Sequence, residues 1–99
     1  MKNQFISILK PKRPNMHKTV TDDEMKIFDK HSNYLTEKFK EGIVTFVGTS
    51  FDEDQDHFGL VVLNAKSKQE AEEFMSNDPA VNAGLLISNL TEFNTFLSK

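Results

Sequence analysis

A histidine on the apolar side of a predicted helix is the first candidate for chemistry in this chain of 99 residues. Apolar residues recur between Thr21 and Gly42 at the spacing of one helical face, at Ile27, Phe28, Tyr34, Leu35 and Phe39. At roughly 100° per residue, His31 projects near the middle of that stripe and toward the interior. Buried imidazole nitrogens need hydrogen-bond partners, so we expect a polar group to contact this ring.

Asp78 is the candidate partner, because a carboxylate at a helix exit can accept a hydrogen bond from an imidazole nitrogen. It stands before Pro79, where a predicted helix stops. An aspartate before proline is also common in turns, where its side chain bonds nearby backbone amides. A lone helical histidine is often satisfied by a backbone carbonyl or water. The residues alone therefore leave two interpretations open, a structural turn with a core-edge histidine or a functional His–Asp pair.

Composition and charge exclude several classes of protein. The length fits a single domain over residues 1–99. The chain has no cysteine, which excludes disulfides, thiolate catalysis and thiolate metal sites. A net charge of −3 argues against a nucleic-acid-binding protein. The apolar run Phe5–Leu9 is too short for a signal sequence or a membrane span, so we expect a cytoplasmic protein.

Neither a metal site nor a cofactor is predicted. Asp52, Asp54 and Asp56 imitate the start of a calcium loop, but His57 occupies the glycine position and the final glutamate is missing. An acidic, solvated hairpin is the favoured interpretation. His17 and His57 lack the close spacing of metal ligands. The chain also has no glycine-rich phosphate loop, serine nucleophile motif or dinucleotide fingerprint.

The elements that would position His31 and Asp78 follow the order strand, helix, strand, strand, helix, strand. Extended segments are predicted at residues 4–10, 43–47, 58–63 and 85–97. Capping boxes begin the two helices, Thr21 with Glu24 and Ser67 with Glu70. This order is the ferredoxin-like split βαβ plan (βαββαβ), an α+β fold with both helices on one face of an antiparallel sheet.

Burial in this fold predicts both a core and a partner. The aromatic residues expected in the core are Tyr34, Phe28, Phe39, Phe46 and Phe74. The sheet face away from the helices would stay apolar and exposed in a monomer. Such a patch normally finds a partner, so we expect a homodimer formed sheet to sheet.

Several short segments, in this order and spacing, carry a resemblance to a known family. They are Lys12-Arg13-Pro14, Thr21-Asp22-Asp23-Glu24, His31-Ser32-Asn33-Tyr34-Leu35, Gly42, Val47-Gly48 and Asn77-Asp78-Pro79-Ala80-Val81-Asn82-Ala83-Gly84. The ordered set resembles the YciI-like (YCII-related) domain family over nearly the whole chain. The resemblance implies a dimeric α/β barrel of ferredoxin-like subunits. It also implies an active-site dyad, which maps onto His31 and Asp78.

The resemblance extends to function. A related enzyme class removes chloride from chlorinated muconolactones in a lyase-type reaction, and muconolactone isomerases share the broader barrel architecture. His31 would then act as general acid or base and Asp78 would orient it. For Arg13 the choice is between bidentate binding of a substrate carboxylate, which lactone-acid substrates would need, and a place in a solvated loop. Where the family often has Gly-Pro, this chain has Gly48-Thr49.

These residues give a leading hypothesis and two rivals. The leading hypothesis is a lyase or isomerase that moves a proton on a small organic acid or lactone, with Gly48, Thr49 and Tyr34 as further pocket residues. The first rival is a non-catalytic ligand-binding or interaction module on the same barrel, favoured by the lack of a second obvious acid or base. The second is a barrel of the monooxygenase or haem-degrading type, which would need a haem-competent pocket histidine. None of the three involves nucleic acid or a membrane.

Overall fold

A four-stranded antiparallel sheet with helices packed on one face forms the structure, a computed structural model that describes residues 3–99. The strands are β1 (Gln4–Pro11), β2 (Val44–Thr49), β3 (Gly59–Asn64) and β4 (Leu86–Phe93). The helices are α1 (Met16–Thr19), α2 (Asp22–Lys40), α3 (Lys68–Ser76) and α4 (Pro79–Asn82). The strand order β2-β3-β1-β4 confirms the predicted ferredoxin-like plan.

Three local features differ from the sequence predictions. The short helices α1 and α4 were not predicted, because each is a single turn without a periodic apolar pattern. The last strand ends at Phe93, so the extended segment predicted to reach Leu97 is too long.

No helix within residues 3–99 has the length and apolar character needed to cross a lipid bilayer.

The capping box predicted at the start of α2 is present. Thr21 Oγ1 accepts a hydrogen bond of 3.1 Å from the backbone N–H of Glu24. Glu24 Oε1 in turn accepts one of 3.0 Å from the backbone N–H of Thr21. The helix ends before Gly42, whose φ of 82° is a conformation that glycine adopts without steric cost. These two ends fix the length of α2 and therefore the position of His31 along it.

The core lies between the helices and the inner face of the sheet. Its fully buried residues are Phe5, Leu9, Leu35, Val44, Val61, Leu63, Ala71 and Met75. In β1 the buried residues alternate, so that Phe5, Ser7 and Leu9 face the helices. The buried hydroxyl of Ser7 forms a hydrogen bond of 2.5 Å with the hydroxyl of Ser88 and so has a polar partner. A single layer of helices therefore covers one face of the sheet.

An irregularity in β2 decides which of its side chains face the helices. Val44 pairs with Leu63, but the next pairing joins Phe46 to Val62, so one residue is bulged out of the ladder. The bulge shifts the in–out alternation by one position. Phe46 consequently lies on the outer face with 53% of its surface exposed, and its prediction as core is wrong. Val47, paired with the fully buried Val61, lies on the helix side.

The outer face of the sheet is apolar, as predicted. Ile6 pairs with Val62 and Ile8 with Leu60, and residues paired across antiparallel strands share a face. Ile87, on the same face of β4, is 55% exposed. This surface has no covering layer among residues 3–99.

Candidate active site

A cavity of about 660 Å³ lies between α2 and the end of the sheet where β1 and β2 finish and β3 and β4 begin. Its apolar wall includes Leu9, Met16, Val20, Phe28, Leu35 and Leu86. All three histidines of the chain, His17, His31 and His57, also line it. A mostly apolar cavity with a few polar groups is typical of a small-molecule binding site.

His31 and Asp78 are in direct contact. Nδ1 of His31 lies 2.8 Å from Oδ1 and 2.7 Å from Oδ2 of Asp78. The Asp78 side chain is fully buried, and that of His31 is 16% exposed. Because an ionised carboxylate only accepts, Nδ1 carries the hydrogen, and in the neutral ring Nε2 is left as an acceptor. The contact with Asp78 therefore fixes the orientation of an imidazole that lines the cavity.

Asp78 is held by the turn that contains it. Its Oδ1 also accepts a hydrogen bond of 2.9 Å from the backbone N–H of Ala80, which makes it the N-cap of α4. Pro79 occupies the first turn of that helix, where its missing N–H costs nothing. The two interpretations of Asp78 are thus compatible, since one carboxylate caps the turn and contacts His31. The hydrogen bond from Ala80 thus holds the carboxylate in the position where it contacts His31.

Gly48 and Thr49 were both predicted as pocket residues, and of these two only Thr49 reaches the cavity. Thr49 lines the cavity on the helix side of β2. Gly48 pairs with Leu60 on the outer face, and a Cβ there would lie 3.2 Å from the ring of Phe46. The bulge in β2 is the reason, because it turns Thr49 inward and Gly48 outward. Gly48 therefore lies outside the cavity.

Tyr34 is also turned away from the cavity. Its hydroxyl donates a hydrogen bond of 2.8 Å to the carbonyl oxygen of Phe74, and its ring packs against the core. Burial, together with the negative charges of Asp78 and Glu41, raises the pKa of Tyr34 to about 12. The hydroxyl is thus a neutral structural donor. Phe39, predicted as core, is 56% exposed and lies at the cavity wall.

Arg13 is fixed at the start of α2 and does not line the cavity. Its Nη1 and Nη2 donate to the two carboxylate oxygens of Glu24 at 2.7 and 2.8 Å. It also donates to the backbone carbonyl of Thr19 at 2.7 Å. The bidentate binding of a carboxylate predicted for Arg13 is thus satisfied within the chain, by Glu24 rather than by a ligand.

Glu24→Gln is expected to remove part of the acid sensitivity of the fold. Hydrogen bonds from Arg13 and from the Thr21 backbone lower the pKa of Glu24 from 4.5 to about 2. A carboxylate with a lowered pKa stabilises the fold above its unfolded pKa, and this contribution is lost as pH falls through the folded one. The melting temperature of the wild type should therefore drop between pH 4.5 and pH 2 more steeply than that of Glu24→Gln.

Circular dichroism melts from neutral pH to pH 2 measure this difference. The matched control is Glu72→Gln in α3, an exposed residue with no hydrogen bond or ion pair within residues 3–99. Parallel pH profiles for the wild type and Glu24→Gln would contradict the prediction.

The sequence did not indicate that His17 and His57 would meet. Their rings stack with centroids 3.8 Å apart and planes inclined by 15°. A hydrogen bond of 2.7 Å from the backbone N–H of Asn15 to Asp56 joins their two loops. Both nitrogens of His17 and Nε2 of His57 are buried without a hydrogen-bond partner among residues 3–99. Each unpaired buried polar group costs about 1–3 kcal/mol. Within the same residues, no group of three or more His, Asp or Glu side chains could hold a metal ion.

Comparison with known proteins agrees with this fold and places the chain in a family. The YCII-related domain matches residues 5–94, and the chain belongs to that family. Among solved structures it is similar to 5-chloro-2-hydroxyhydroquinone dehydrochlorinase (TftG) from Burkholderia phenoliruptrix AC1100, in complex with 2,5-dihydroxybenzoquinone. The sequence identity is 21%, the match covers 91% of this chain and 93% of that chain, and the TM-score is 0.65. No curated protein matches this chain significantly.

Proposed function

We propose that this protein is a lyase or isomerase that moves a proton on a small organic acid or lactone, with His31 as general acid and base. The observation that carries this proposal is the His31–Asp78 contact in the wall of the cavity. A buried carboxylate on one imidazole nitrogen, with the other nitrogen left for a ligand, is the arrangement that general acid–base catalysis needs.

The proposed reaction begins when Nε2 of His31 removes a proton from a substrate carbon next to a carbonyl group. In an elimination, the electron pair of the broken C–H bond forms a carbon–carbon double bond while a leaving group departs from the neighbouring carbon. In an isomerisation, His31 returns the proton to a different carbon. In both, Asp78 stabilises the imidazolium that forms and holds the ring in place. After an isomerisation the imidazole is again neutral, and after an elimination the protonated His31 releases its proton to water.

The cavity supports a small ring compound as the ligand. Its volume, about 660 Å³, lies within the range of small-molecule sites, and its wall is largely apolar. The similar structure TftG is named a dehydrochlorinase and holds 2,5-dihydroxybenzoquinone. That likeness supports the same general class of ligand here. The choice among ring compounds depends on the polar groups of the cavity wall.

We also propose that the protein forms a homodimer through the outer face of its sheet. Phe46 and Ile87 on this face are 53% and 55% exposed, and Ile6, Ile8 and Leu60 lie between them. A continuous apolar sheet face is more stable when covered, and a second copy offers the same face in a two-fold arrangement.

His31→Gln is expected to abolish turnover while leaving ligand binding in place. Glutamine can still donate to Asp78 but cannot exchange a proton at neutral pH, so kcat should fall roughly 10²–10⁴-fold. The measurement is chloride release or double-bond movement on a panel of lactones and chlorinated ring acids. Asn33→Ala, an exposed position on α2 outside the cavity, is the matched control and should keep full activity.

The same panel separates catalysis from binding alone. If the wild type binds a panel compound but turns none of them over, the protein is a ligand-binding module and the proposal fails. If His31→Gln keeps wild-type turnover, another group moves the proton and the proposal also fails.

A further inference from the structure

We infer that the His17–His57 pair is a second polar subsite of the cavity, one that binds a hydroxyl or enolic oxygen carried by the ring of the ligand. The pair comes from α1 and from the loop before β3, and both rings line the same cavity as His31. The inference deepens the proposed function, because it uses the cavity in which His31 would act.

The first argument is the free energy of folding that is lost when unpaired imidazole nitrogens are buried at these positions. The two rings stack as an apolar aromatic pair would, with centroids 3.8 Å apart. Phenylalanines could make this stack without burying any polar atom. Both nitrogens of His17 and Nε2 of His57 are instead buried and unpaired among the residues that the structure describes. Buried polar atoms in proteins almost always have partners, so these nitrogens need one that packing does not provide.

The second argument is that either ring can offer a nitrogen to the cavity. Each long edge of an imidazole contains one nitrogen and one carbon, and a half-turn about the Cβ–Cγ bond exchanges their positions. A half-turn of the His17 ring therefore moves its buried nitrogens to positions that ring carbons now hold, where each is a donor or an acceptor according to the tautomer. Two adjacent rings can thus serve an oxygen that donates, one that accepts, or a hydroxyl that does both.

The third argument is that the ring geometry fits an oxygen group better than a metal ion. A metal lies in the plane of each imidazole that binds it, and ligand planes converge on the ion. The planes of His17 and His57 are only 15° apart and the rings are stacked, so the two planes do not converge on a point beside the rings. No third metal-binding side chain joins them within residues 3–99. Oxygen atoms on a ring compound can bind the two imidazoles separately and do not require the two planes to converge.

The fourth argument is that the subsite is built by a tertiary contact. The backbone N–H of Asn15, which stands before α1, donates to the side chain of Asp56 at 2.7 Å. This bond holds the two loops together next to the stacked rings.

His17→Phe and His57→Phe test the subsite, because phenylalanine keeps the stack and removes the nitrogens. The probes are 2,5-dihydroxybenzoquinone and its 2,5-dimethoxy analogue, in which the hydroxyl hydrogens are replaced by methyl groups. Titration calorimetry should show that each variant binds the dihydroxy compound about 10-fold more weakly than the wild type, the effect of one lost hydrogen bond. Affinity for the dimethoxy analogue should change less than about 2-fold. His57→Gln, which keeps a donor and an acceptor, should retain most of the affinity for the dihydroxy probe.

The melting temperatures of the same variants provide a readout that a structural role would not give. Removing unpaired buried nitrogens should raise the melting temperature of each Phe variant by about 5 °C. Weaker binding combined with higher stability is the expected signature of residues kept for a ligand.

Four outcomes would overturn the inference. The wild type binds neither probe at millimolar concentration, or both probes lose affinity equally in the variants. Alternatively, the Phe variants melt lower than the wild type or do not fold, which would make the nitrogens part of the fold. None of these results depends on turnover. A failed proposed function would appear instead as unchanged catalysis in His31→Gln, with the effects of the His17 and His57 variants intact.

Discussion

Asp78→Asn is expected to abolish turnover by reversing the tautomer of His31 while the fold is retained. The asparagine oxygen can still accept from the Ala80 backbone N–H, so α4 keeps its N-cap. The amide nitrogen then takes the place of Oδ2, the carboxylate oxygen 2.7 Å from Nδ1 of His31. An N–H donor at that position makes Nδ1 the acceptor and puts the hydrogen on Nε2. The nitrogen that should take the substrate proton becomes a donor, and kcat should fall roughly 10³-fold.

Two measurements on Asp78→Asn follow this change. Nitrogen-15 NMR of the imidazole should show hydrogen on Nδ1 in the wild type and on Nε2 in the variant, both at a pH where the ring is neutral. Turnover should fall in the same variant while its melting temperature stays near that of the wild type.

Asp78→Ala is the contrasting variant. It removes both the N-cap and the only hydrogen-bond partner of His31 Nδ1 among residues 3–99, so it should lose about 2–4 kcal/mol of stability. Wild-type turnover in Asp78→Asn, despite a reversed tautomer, would contradict the role of Asp78.

Ile87→Asp is expected to convert the proposed dimer to a monomer. Ile87 is 55% exposed on the outer face of β4, where it pairs with Lys10 at the end of the sheet near the cavity. A sheet-to-sheet contact would bury this side chain, and an unpaired carboxylate at the same place would have to lose its hydration. Two such carboxylates enter each two-fold interface, so the dissociation constant should rise by roughly 10³-fold or more.

Analytical ultracentrifugation across a concentration series measures this equilibrium. Phe51→Asp is the matched control, because Phe51 is 81% exposed but lies in the loop between β2 and β3 rather than on the sheet. The control should sediment as the wild type does. A wild type that is monomeric at every concentration, or an Ile87→Asp variant that still dimerises, would contradict the sheet-to-sheet dimer.

Much of the fold could be predicted from local sequence patterns. The capping box of Thr21 and Glu24 marks where α2 begins, and its two hydrogen bonds depend on residues three apart. The order of the elements then leaves few topologies for an antiparallel sheet. The bulge in β2 could not be predicted, because the run Ile43-Val44-Thr45-Phe46-Val47 is almost continuously apolar and does not indicate which side chains face inward. Because of this one-residue bulge, Thr49 faces the cavity while Gly48 and Phe46 lie on the outer face of the sheet.

The candidate site could be predicted only in part. Helical periodicity placed His31 on the inner side of α2, and the family resemblance paired it with Asp78, a contact that the structure contains. For Arg13 the sequence left open a substrate carboxylate or a solvated loop, and in the structure its guanidinium binds Glu24. His17 in α1 stacks on His57 in the loop before β3, and no spacing along the chain predicts a contact between these two segments. The grouping of three histidines around one cavity therefore depends on tertiary contacts and not on local sequence patterns.

Exchange of substrate hydrogen with solvent is the measurement that tests the role of His31 most directly. A lactone or ring acid that binds the protein is incubated in D₂O, and loss of the signal of the hydrogen next to its carbonyl group is followed by proton NMR. The wild type should catalyse this exchange well above the rate in buffer, and His31→Gln should reduce it to the rate in buffer. Equal exchange by the wild type and His31→Gln would contradict proton transfer by His31.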